Sequence, residues 1–175
     1  MSTAVTPTPD AGACDRTDRM FLQAALSEAA SAGARGDLAV GAVIVAGQDI
    51  LAGGGNEAMT SGDPMAHAEV VALRNLTAAH PGRSLEDATM YTTFEPCPMC
   101  LGACLVYRLG RVVVGGTRLP GDRPWGGYDP AGFAAAVATT GPRLDVLTGP
   151  FADECRDLRQ RSVDAGAVPI LTIEE

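Results

Sequence analysis

Two short segments of the 175-residue chain carry side chains that can bind a metal ion and move protons. The first is His67-Ala68-Glu69, and the second, which begins 29 residues after His67, is Pro96-Cys97-Pro98-Met99-Cys100. One imidazole and two thiolates form a ligand set that suits Zn²⁺, which prefers nitrogen and sulfur donors. The sequence therefore predicts a zinc site made of His67, Cys97 and Cys100.

Three protein ligands leave the fourth tetrahedral position open for water, and bound zinc lowers the pKa of that water from about 15.7 to about 7. The hydroxide that forms can attack an amidine-like carbon that bears an amino group. Glu69 is two residues from His67, so it can lie beside the metal without binding it and carry the protons of the reaction. These residue types therefore permit hydrolysis at such a carbon, with Glu69 close enough to the metal to transfer the protons.

The starts of two helices must position these segments. Asp63-Pro64 is typical of an N-cap followed by the first helical position, and it predicts a helix from there to about residue 79. That helix places His67 in its first turns and Glu69 in its second turn.

The second helix is predicted to begin at Glu95-Pro96 and to end at about residue 108. Cys97 and Cys100 have the i, i+3 spacing that puts two side chains on one helix face. The free N–H groups of a first turn and the helix dipole favour thiolates there.

The remaining pattern alternates apolar strands with helices. We expect a first helix over 15–34, then a hairpin of strands 39–46 and 50–52, followed by a loop at 53–56. Later strands are expected at 88–93, 111–115 and 144–147, and a further helix at 152–164. This order predicts an α/β fold, a three-layer α-β-α sandwich around a five-stranded mixed sheet. We expect residues 1–15 to be a flexible N-terminal tail and residues 16–175 to form one domain.

The two motifs together resemble the cytidine/deoxycytidylate deaminase superfamily. Within it they are similar to the branch that holds guanine deaminases, fungal-type cytosine deaminases and bacterial tRNA adenosine deaminases. The segments that carry the resemblance are Asp63–Glu69 and Glu95–Ala103. The resemblance implies a cytidine deaminase-like fold, Zn²⁺ on His67, Cys97 and Cys100, and Glu69 as the proton shuttle.

The resemblance also implies substrate contacts and an assembly. Asn56, 11 residues before His67, matches a substrate-contacting asparagine of this branch, and the backbone N–H of Ala68 would face the substrate. Members of the branch typically complete the pocket mouth with a neighbouring subunit, and the apolar tail at 168–173 is hard to bury in one chain. Both features predict a homodimer.

The long Gly/Pro-rich loop at 116–129 bears on the substrate. Trp125 in this loop either stacks on a planar base or pins the loop to the core, and Asp122 either accepts hydrogen bonds from a substrate amino group or is a surface turn residue. The tRNA-acting members usually carry a short Gly-Ala-rich segment here and basic residues near the C-terminus, whereas this chain ends in Glu174-Glu175. We therefore expect a small heterocyclic substrate, a nucleobase of the guanine or cytosine type or a nucleoside.

The composition excludes several classes of protein. With 46% hydrophobic and 19% charged residues, the chain is not intrinsically disordered. All 13 basic residues are arginine against 21 acidic residues, and the net charge of −8 argues against a nucleic-acid partner. No run approaches about 18 apolar residues, and residues 1–15 lack the charge and the apolar run of a signal peptide, so we expect a cytoplasmic chain with no membrane contact.

Other interpretations of the cysteine pair stay open. Cys97 and Cys100 could form a redox dithiol, although such a pair does not need the upstream His67 and Glu69. They could also hold a structural zinc ion, with Cys104 one turn further on as the fourth ligand, in a binding module without catalysis. Among enzymes, the alternative to a small-base deaminase is a tRNA wobble-adenosine deaminase.

Overall fold

The computed structural model describes residues 15–118, 125–139, 141 and 143–168 of the chain. Within these residues the chain forms helices and strands in alternation. Their bounds are α1 (Arg16–Arg35), β1 (Gly41–Ala46), β2 (Asp49–Gly55), α2 (Ala58–Ser61), α3 (Ala68–Ala79), β3 (Ala88–Phe94), α4 (Pro98–Val106), β4 (Arg111–Gly116), α5 (Pro130–Ala138), β5 (Asp145–Thr148) and α6 (Ala152–Asp164).

The five strands make one mixed sheet in the order β2-β1-β3-β4-β5. Strand β1 is antiparallel to β2 and β3, while β3, β4 and β5 run parallel to one another. Helices α1 and α6 pack on one face of the sheet, and α3, α4 and α5 pack on the other. The predicted three-layer α-β-α sandwich is confirmed.

Strand β3 lies at the centre of the sheet, and its side chains alternate between the two layers. Met90 belongs to the apolar cluster formed with α3, α4 and α5. Tyr91 belongs to the cluster beneath α1, where its ring centroid lies 5.2 Å from that of Phe21. Because successive strand residues point to opposite faces, Thr92 faces the α3–α4 layer again.

The predicted loop at 53–56 is wrong, because Gly53, Gly54 and Gly55 belong to β2 and pair with β1. Helices lie so close to this strand that a side chain would not fit. A Cβ atom on Gly54 would lie 2.6 Å from the backbone nitrogen of Ala72 in α3, and one on Gly55 would lie 2.9 Å from Cβ of Ala32 in α1. The glycine run therefore permits close packing of the helices and does not end the strand.

The predicted helix start at Asp63-Pro64 is also wrong. The Asp63 carboxylate accepts a hydrogen bond from the backbone N–H of Met65 at 2.9 Å and forms an ion pair with Arg74 at 3.0 Å, so it stabilises a turn. Helix α3 begins four residues later than predicted, at Ala68, with His67 as its N-cap. The short helix α2 was not predicted.

The ends of the chain lie largely outside the described residues. Asp15 is the N-cap of α1 and accepts hydrogen bonds from the backbone N–H groups of Thr17 and Asp18, which confirms the predicted first helix. The flexible tail predicted at 1–15 lies outside the described residues except for Asp15, and the apolar tail at 168–173 lies outside them except for Val168. No helix in the described part of the chain has the length and apolar character needed to cross a membrane.

Candidate metal centre and active site

Two helix N-termini meet at the end of the central strand. His67 is the N-cap of α3, and Cys97 is the N-cap of α4, which follows β3 after the three residues 95–97. Pro98 occupies the first position of α4, and the sulfur of Cys97 accepts the backbone N–H of Cys100 at 3.5 Å. The predicted start of this helix at Glu95-Pro96 was two residues early, because the cysteine sulfur itself caps the helix.

The three predicted metal ligands come together at this point. The Nδ1 atom of His67 lies 3.6 Å from Sγ of Cys97 and 3.5 Å from Sγ of Cys100, and the two sulfur atoms are 3.4 Å apart. Zinc bonds of about 2.3 Å to sulfur and about 2.0 Å to nitrogen in a tetrahedron separate the sulfur and nitrogen atoms by about 3.5 Å and the two sulfur atoms by about 3.8 Å. The donor set and its spacing therefore fit a zinc ion.

Among the described residues, no further histidine, cysteine or acidic side chain joins this ligand group. Cys104, the fourth ligand of the alternative structural site, is fully buried, and its sulfur lies 3.7 Å from Sδ of Met90. Burial raises the pKa of its thiol, which disfavours the thiolate that a metal needs. A three-ligand arrangement is typical of catalytic zinc sites, which keep the fourth position for water or substrate.

The electrostatics of the cluster favour a thiolate at the helix start. Hydrogen bonding with Cys100, followed by that with His67 and with the helix backbone, lowers the pKa of Cys97 to about 4. The hydrogen bond between His67 and Cys97 raises the pKa of the His67 imidazole. The hydrogen bond with Cys97 also raises the pKa of the Cys100 thiol. Zinc requires both sulfurs deprotonated and the imidazole neutral, so metal binding releases protons here.

Glu69 is the second residue of α3, and its carboxylate is buried beside the cluster with 3% of the residue exposed. The later helix start places it in the first turn, not in the predicted second turn. Burial raises the pKa of this carboxyl group, and the negative charge of Cys97 raises it further. The hydroxyl of Thr92 on β3 donates a hydrogen bond to Oε1 at 3.0 Å.

Asn56 and Ala68, the predicted substrate contacts, lie on segments that border the cluster. Asn56 is buried at the end of β2, and its Oδ1 accepts the backbone N–H of Ala58 at 3.1 Å, so its Nδ2 is the group left to donate. Glu57 donates its backbone N–H to the carbonyl of Ala66, which ties this loop to the segment before His67. Ala68 opens α3, so its N–H has no acceptor within the helix.

Aromatic and cationic side chains of the loop after β4 pack against Phe94 and Pro96, which precede Cys97 in the chain. The Trp125 ring makes an edge contact with Tyr128 at 6.0 Å between centroids, and the Tyr128 hydroxyl donates to the carbonyl of Pro96 at 3.1 Å. The Arg118 guanidinium lies 4.7 Å from the Trp125 ring centroid and 5.1 Å from that of Phe94. Asp122 lies outside the described residues, and its predicted role stays a prediction.

Sequence reasoning missed Thr92, Tyr128 and Arg118. The available signal for Thr92 was its spacing: Ala88, Met90 and Thr92 are alternate residues that share one face of a strand, and a hydroxyl there interrupts an apolar pattern. Tyr128 and Arg118 gave no such signal, because only the folded loop brings them next to the segment that leads to Cys97.

Comparisons with known proteins agree with this site. Residues 15–116, which include all the predicted ligands and Glu69, match the model of the cytidine and deoxycytidylate deaminase zinc-binding region. A tRNA-specific adenosine deaminase from Bacillus subtilis (strain 168) is 30% identical over 145 residues, which cover 79% of this chain and 83% of that protein. A guanine deaminase from the same strain is 46% identical over 86 residues, which cover 47% of this chain and 54% of that protein.

The fold agrees as well. A solved structure from work on A-to-I editing by tRNA:A34 deaminases superposes with a TM-score of 0.64 and 31% identity. The match covers 75% of this chain and 98% of that one. The similarity thus extends over nearly the whole of the solved chain.

Proposed function

The chain belongs to the cytidine and deoxycytidylate deaminase family of zinc-binding hydrolases, and from that premise we propose that it deaminates a small amino-bearing nucleobase of the guanine or cytosine type, or a nucleoside. The observation that carries the proposal is the buried carboxylate of Glu69 beside three side chains placed to bind one metal ion. In this proposal His67, Cys97 and Cys100 hold Zn²⁺ and Glu69 is the catalytic residue.

The reaction exchanges one group on the ring carbon: the oxygen of water is added and the amino nitrogen leaves as ammonia. Zinc held by the cluster would activate that water molecule for attack. The Glu69 carboxylate takes the first proton from the water and gives it to the ring nitrogen. It then takes the second proton from the hydroxyl group added to the ring carbon and gives it to the leaving amino group. Its raised pKa suits this exchange, because a proton carrier works best when its pKa approaches the operating pH.

The surrounding side chains orient the ring. Asn56 would donate from Nδ2 to an acceptor on the heterocycle, and the N–H of Ala68 would donate from the start of α3. Trp125 would stack against the base at the mouth, a role that its contacts with Tyr128 and Arg118 support by fixing the ring on the loop. Asp122 is proposed as a further acceptor on sequence grounds alone.

The charge distribution supports a small substrate over a polyanion. Several arginines already form ion pairs with acidic side chains, which lowers the positive charge left for phosphates. These pairs are Arg35–Asp37, Arg74–Asp63, Arg108–Glu86, Arg111–Asp18, Arg143–Asp145 and Arg156–Asp153. Since phosphate contacts dominate nucleic-acid affinity, a chain with a net charge of −8 is poorly suited to retain tRNA.

A panel of aminated rings tests the substrate. We expect the zinc-loaded protein to release ammonia from at least one of guanine, cytosine, adenine, their nucleosides, an aminated triazine or an aminated pterin. The Glu69→Gln variant, prepared alongside, should release ammonia from the same ring at least about 10⁴-fold more slowly. Failure of every ring in the panel would contradict the proposal.

Transfer RNA is the second candidate, because the tRNA-specific relative aligns over 79% of this chain. Incubation with a tRNA anticodon stem-loop, followed by nucleoside analysis for inosine, decides between the two. Inosine formation with binding that weakens steeply as salt rises would favour the tRNA substrate. Ammonia release from a free ring, with no inosine in the stem-loop, would favour the small base.

We also propose that the protein is a homodimer. The outward face of α4 is apolar: Met99, Gly102 and Ala103 are half-buried, and Val106 is 81% exposed. A face of this kind next to the metal ligands is suited to a second subunit that completes the pocket mouth.

Sedimentation velocity is expected to show a dimer at micromolar concentration, and Val106→Glu should shift it toward monomer because a charge would be buried in the contact. Met20→Glu is the matched control, since Met20 is 55% exposed on α1, in the opposite layer. A monomer that keeps full activity at nanomolar concentration would contradict the proposal.

A further inference from the structure

Thr92 is a polar residue in an apolar row of the central strand. On the face of β3 that meets α3 and α4, its row neighbours are Ala88 and Met90, and all three residues are at most 1% exposed. A hydroxyl buried among apolar groups is costly unless it is hydrogen-bonded. The identity of its partner therefore shows what the hydroxyl does.

The partner is the carboxylate of Glu69. The Oγ1 atom of Thr92 lies 3.0 Å from Oε1 of Glu69 and 3.2 Å from the backbone carbonyl of Phe94. An ionised carboxylate and a carbonyl can only accept, so the threonine hydroxyl shares its single proton between them, with the shorter contact to Glu69. A threonine side chain has a single stiff torsion, whereas a glutamate has three, so the rigid partner fixes the flexible one.

We propose that Thr92 is a positioning residue for deamination, whose hydroxyl holds the Glu69 carboxylate in the orientation that proton transfer requires. The proposal rests on the proposed role of Glu69 as the proton carrier. Catalytic groups need to be held within about 0.5 Å of their productive geometry, and the central strand of the sheet is a rigid support for that purpose. Thr92 contacts none of the three metal ligands through a described hydrogen bond, so its loss should leave them in place.

Three variants separate this role from a merely structural one. Thr92→Val keeps the shape and removes the hydroxyl, and Thr92→Ser keeps the hydroxyl and removes the methyl group. Thr93→Val is the matched control: Thr93 is equally buried, lies next in the strand on the opposite face, and accepts the backbone N–H of Gly41 at 3.1 Å.

On the ring that the panel identifies, Thr92→Val should lower kcat by about 10- to 100-fold, the usual loss when a supporting partner is removed. Its KM should stay within about twofold and its zinc content at the wild-type level, because neither the ring contacts nor the ligands change. Thr92→Ser and Thr93→Val should both keep kcat within about threefold of wild type. Thr92→Ala replaces Thr92→Val, with the same expectations, if the valine variant does not fold.

Crystal structures of the variants supply a readout that needs no turnover. The Glu69 carboxylate should leave its wild-type position in Thr92→Val and keep it in Thr92→Ser. Wild-type kcat in Thr92→Val, an equal loss in Thr93→Val, or loss of zinc would each overturn the proposal. If wild type deaminates no ring, the proposed function fails, and the position of the carboxylate still decides whether Thr92 holds Glu69.

Discussion

Replacing Cys97 with alanine is expected to leave the purified protein without zinc and without measurable deaminase activity. The variant loses one of three ligands, and it also loses the sulfur that caps α4 by accepting the N–H of Cys100. Replacing a Ser, Thr, Asn or Asp N-cap with alanine costs about 0.5–2 kcal/mol of stability, and the weaker sulfur acceptor puts Cys97 at the low end of that range. The lost metal adds its own contribution, since metal binding is coupled to folding. Metal content by mass spectrometry and the melting temperature check both effects.

Two references separate these effects. Chelator-treated wild type lacks the metal but keeps the cap, so its melting temperature should exceed that of Cys97→Ala by a few degrees, at about 2–4 °C per kcal/mol. Cys104→Ala is the second reference, because Cys104 lies on the same helix, contacts Met90 and is not one of the three predicted ligands. The Cys104→Ala variant should therefore keep one zinc per chain. Full zinc retention in Cys97→Ala would refute the ligand assignment, and zinc loss in Cys104→Ala would point to a four-ligand structural site.

The ligand cluster was predictable because its spacing is local. Cys97 and Cys100 are one turn apart, so any helix that starts near Pro98 brings their sulfurs together. The zinc chemistry follows from the residue types and did not depend on where each helix begins. His67 was a long-range prediction, and the adjacent helix starts bring its Nδ1 atom to 3.6 Å and 3.5 Å from the two sulfur atoms.

The helix starts themselves were misplaced because a sequence shows candidate caps and not the competition between them. Asp63 has the side chain of an N-cap, yet its hydrogen bond with Met65 and its ion pair with Arg74 stabilise a turn instead. The actual caps are His67 and Cys97, residue types that carry no strong capping signal. At both helix starts, the residue that caps the helix is also one of the predicted zinc ligands.

The glycines of β2 and the hydroxyl of Thr92 were missed for a different reason. Both features are explained only by a partner that is distant in sequence: the backbone of Ala72 lies against Gly54, and the carboxylate of Glu69 lies against Thr92. Local propensity gives glycine to loops and places threonine in any strand. Tertiary packing decided both positions.

Replacing Glu69 with glutamine is expected to lower kcat by about 10⁴-fold or more while zinc stays at one per chain. Glutamine keeps the size of the side chain, and its carbonyl can still accept the Thr92 hydroxyl, but it cannot take or give a proton. A single proton transfer is worth about 10²–10⁴-fold, and this carboxylate serves several transfers in one turnover. Steady-state ammonia release on the ring that wild type accepts measures the loss.

The stability of the variant distinguishes a catalytic role from a structural one. Burial raises the pKa of the Glu69 carboxyl above its value in the unfolded chain, so the folded state binds this proton more tightly. The folded state therefore loses stability as pH rises from the unfolded pKa through the folded pKa. Glutamine is neutral at every pH and removes that cost. The melting temperature of Glu69→Gln at neutral pH should therefore equal or exceed that of wild type.

Two outcomes would assign the protons or the metal differently. Loss of zinc in Glu69→Gln would mean that the carboxylate is a ligand or supports one. Substantial turnover would mean that another acid carries the protons, and Glu95 would be tested next, because it is the other buried glutamate of the described chain and lies two residues before Cys97. Asp122, which the sequence places in the loop at 116–129, would follow. Only an inactive variant that keeps both its zinc and its stability identifies Glu69 as the proton carrier.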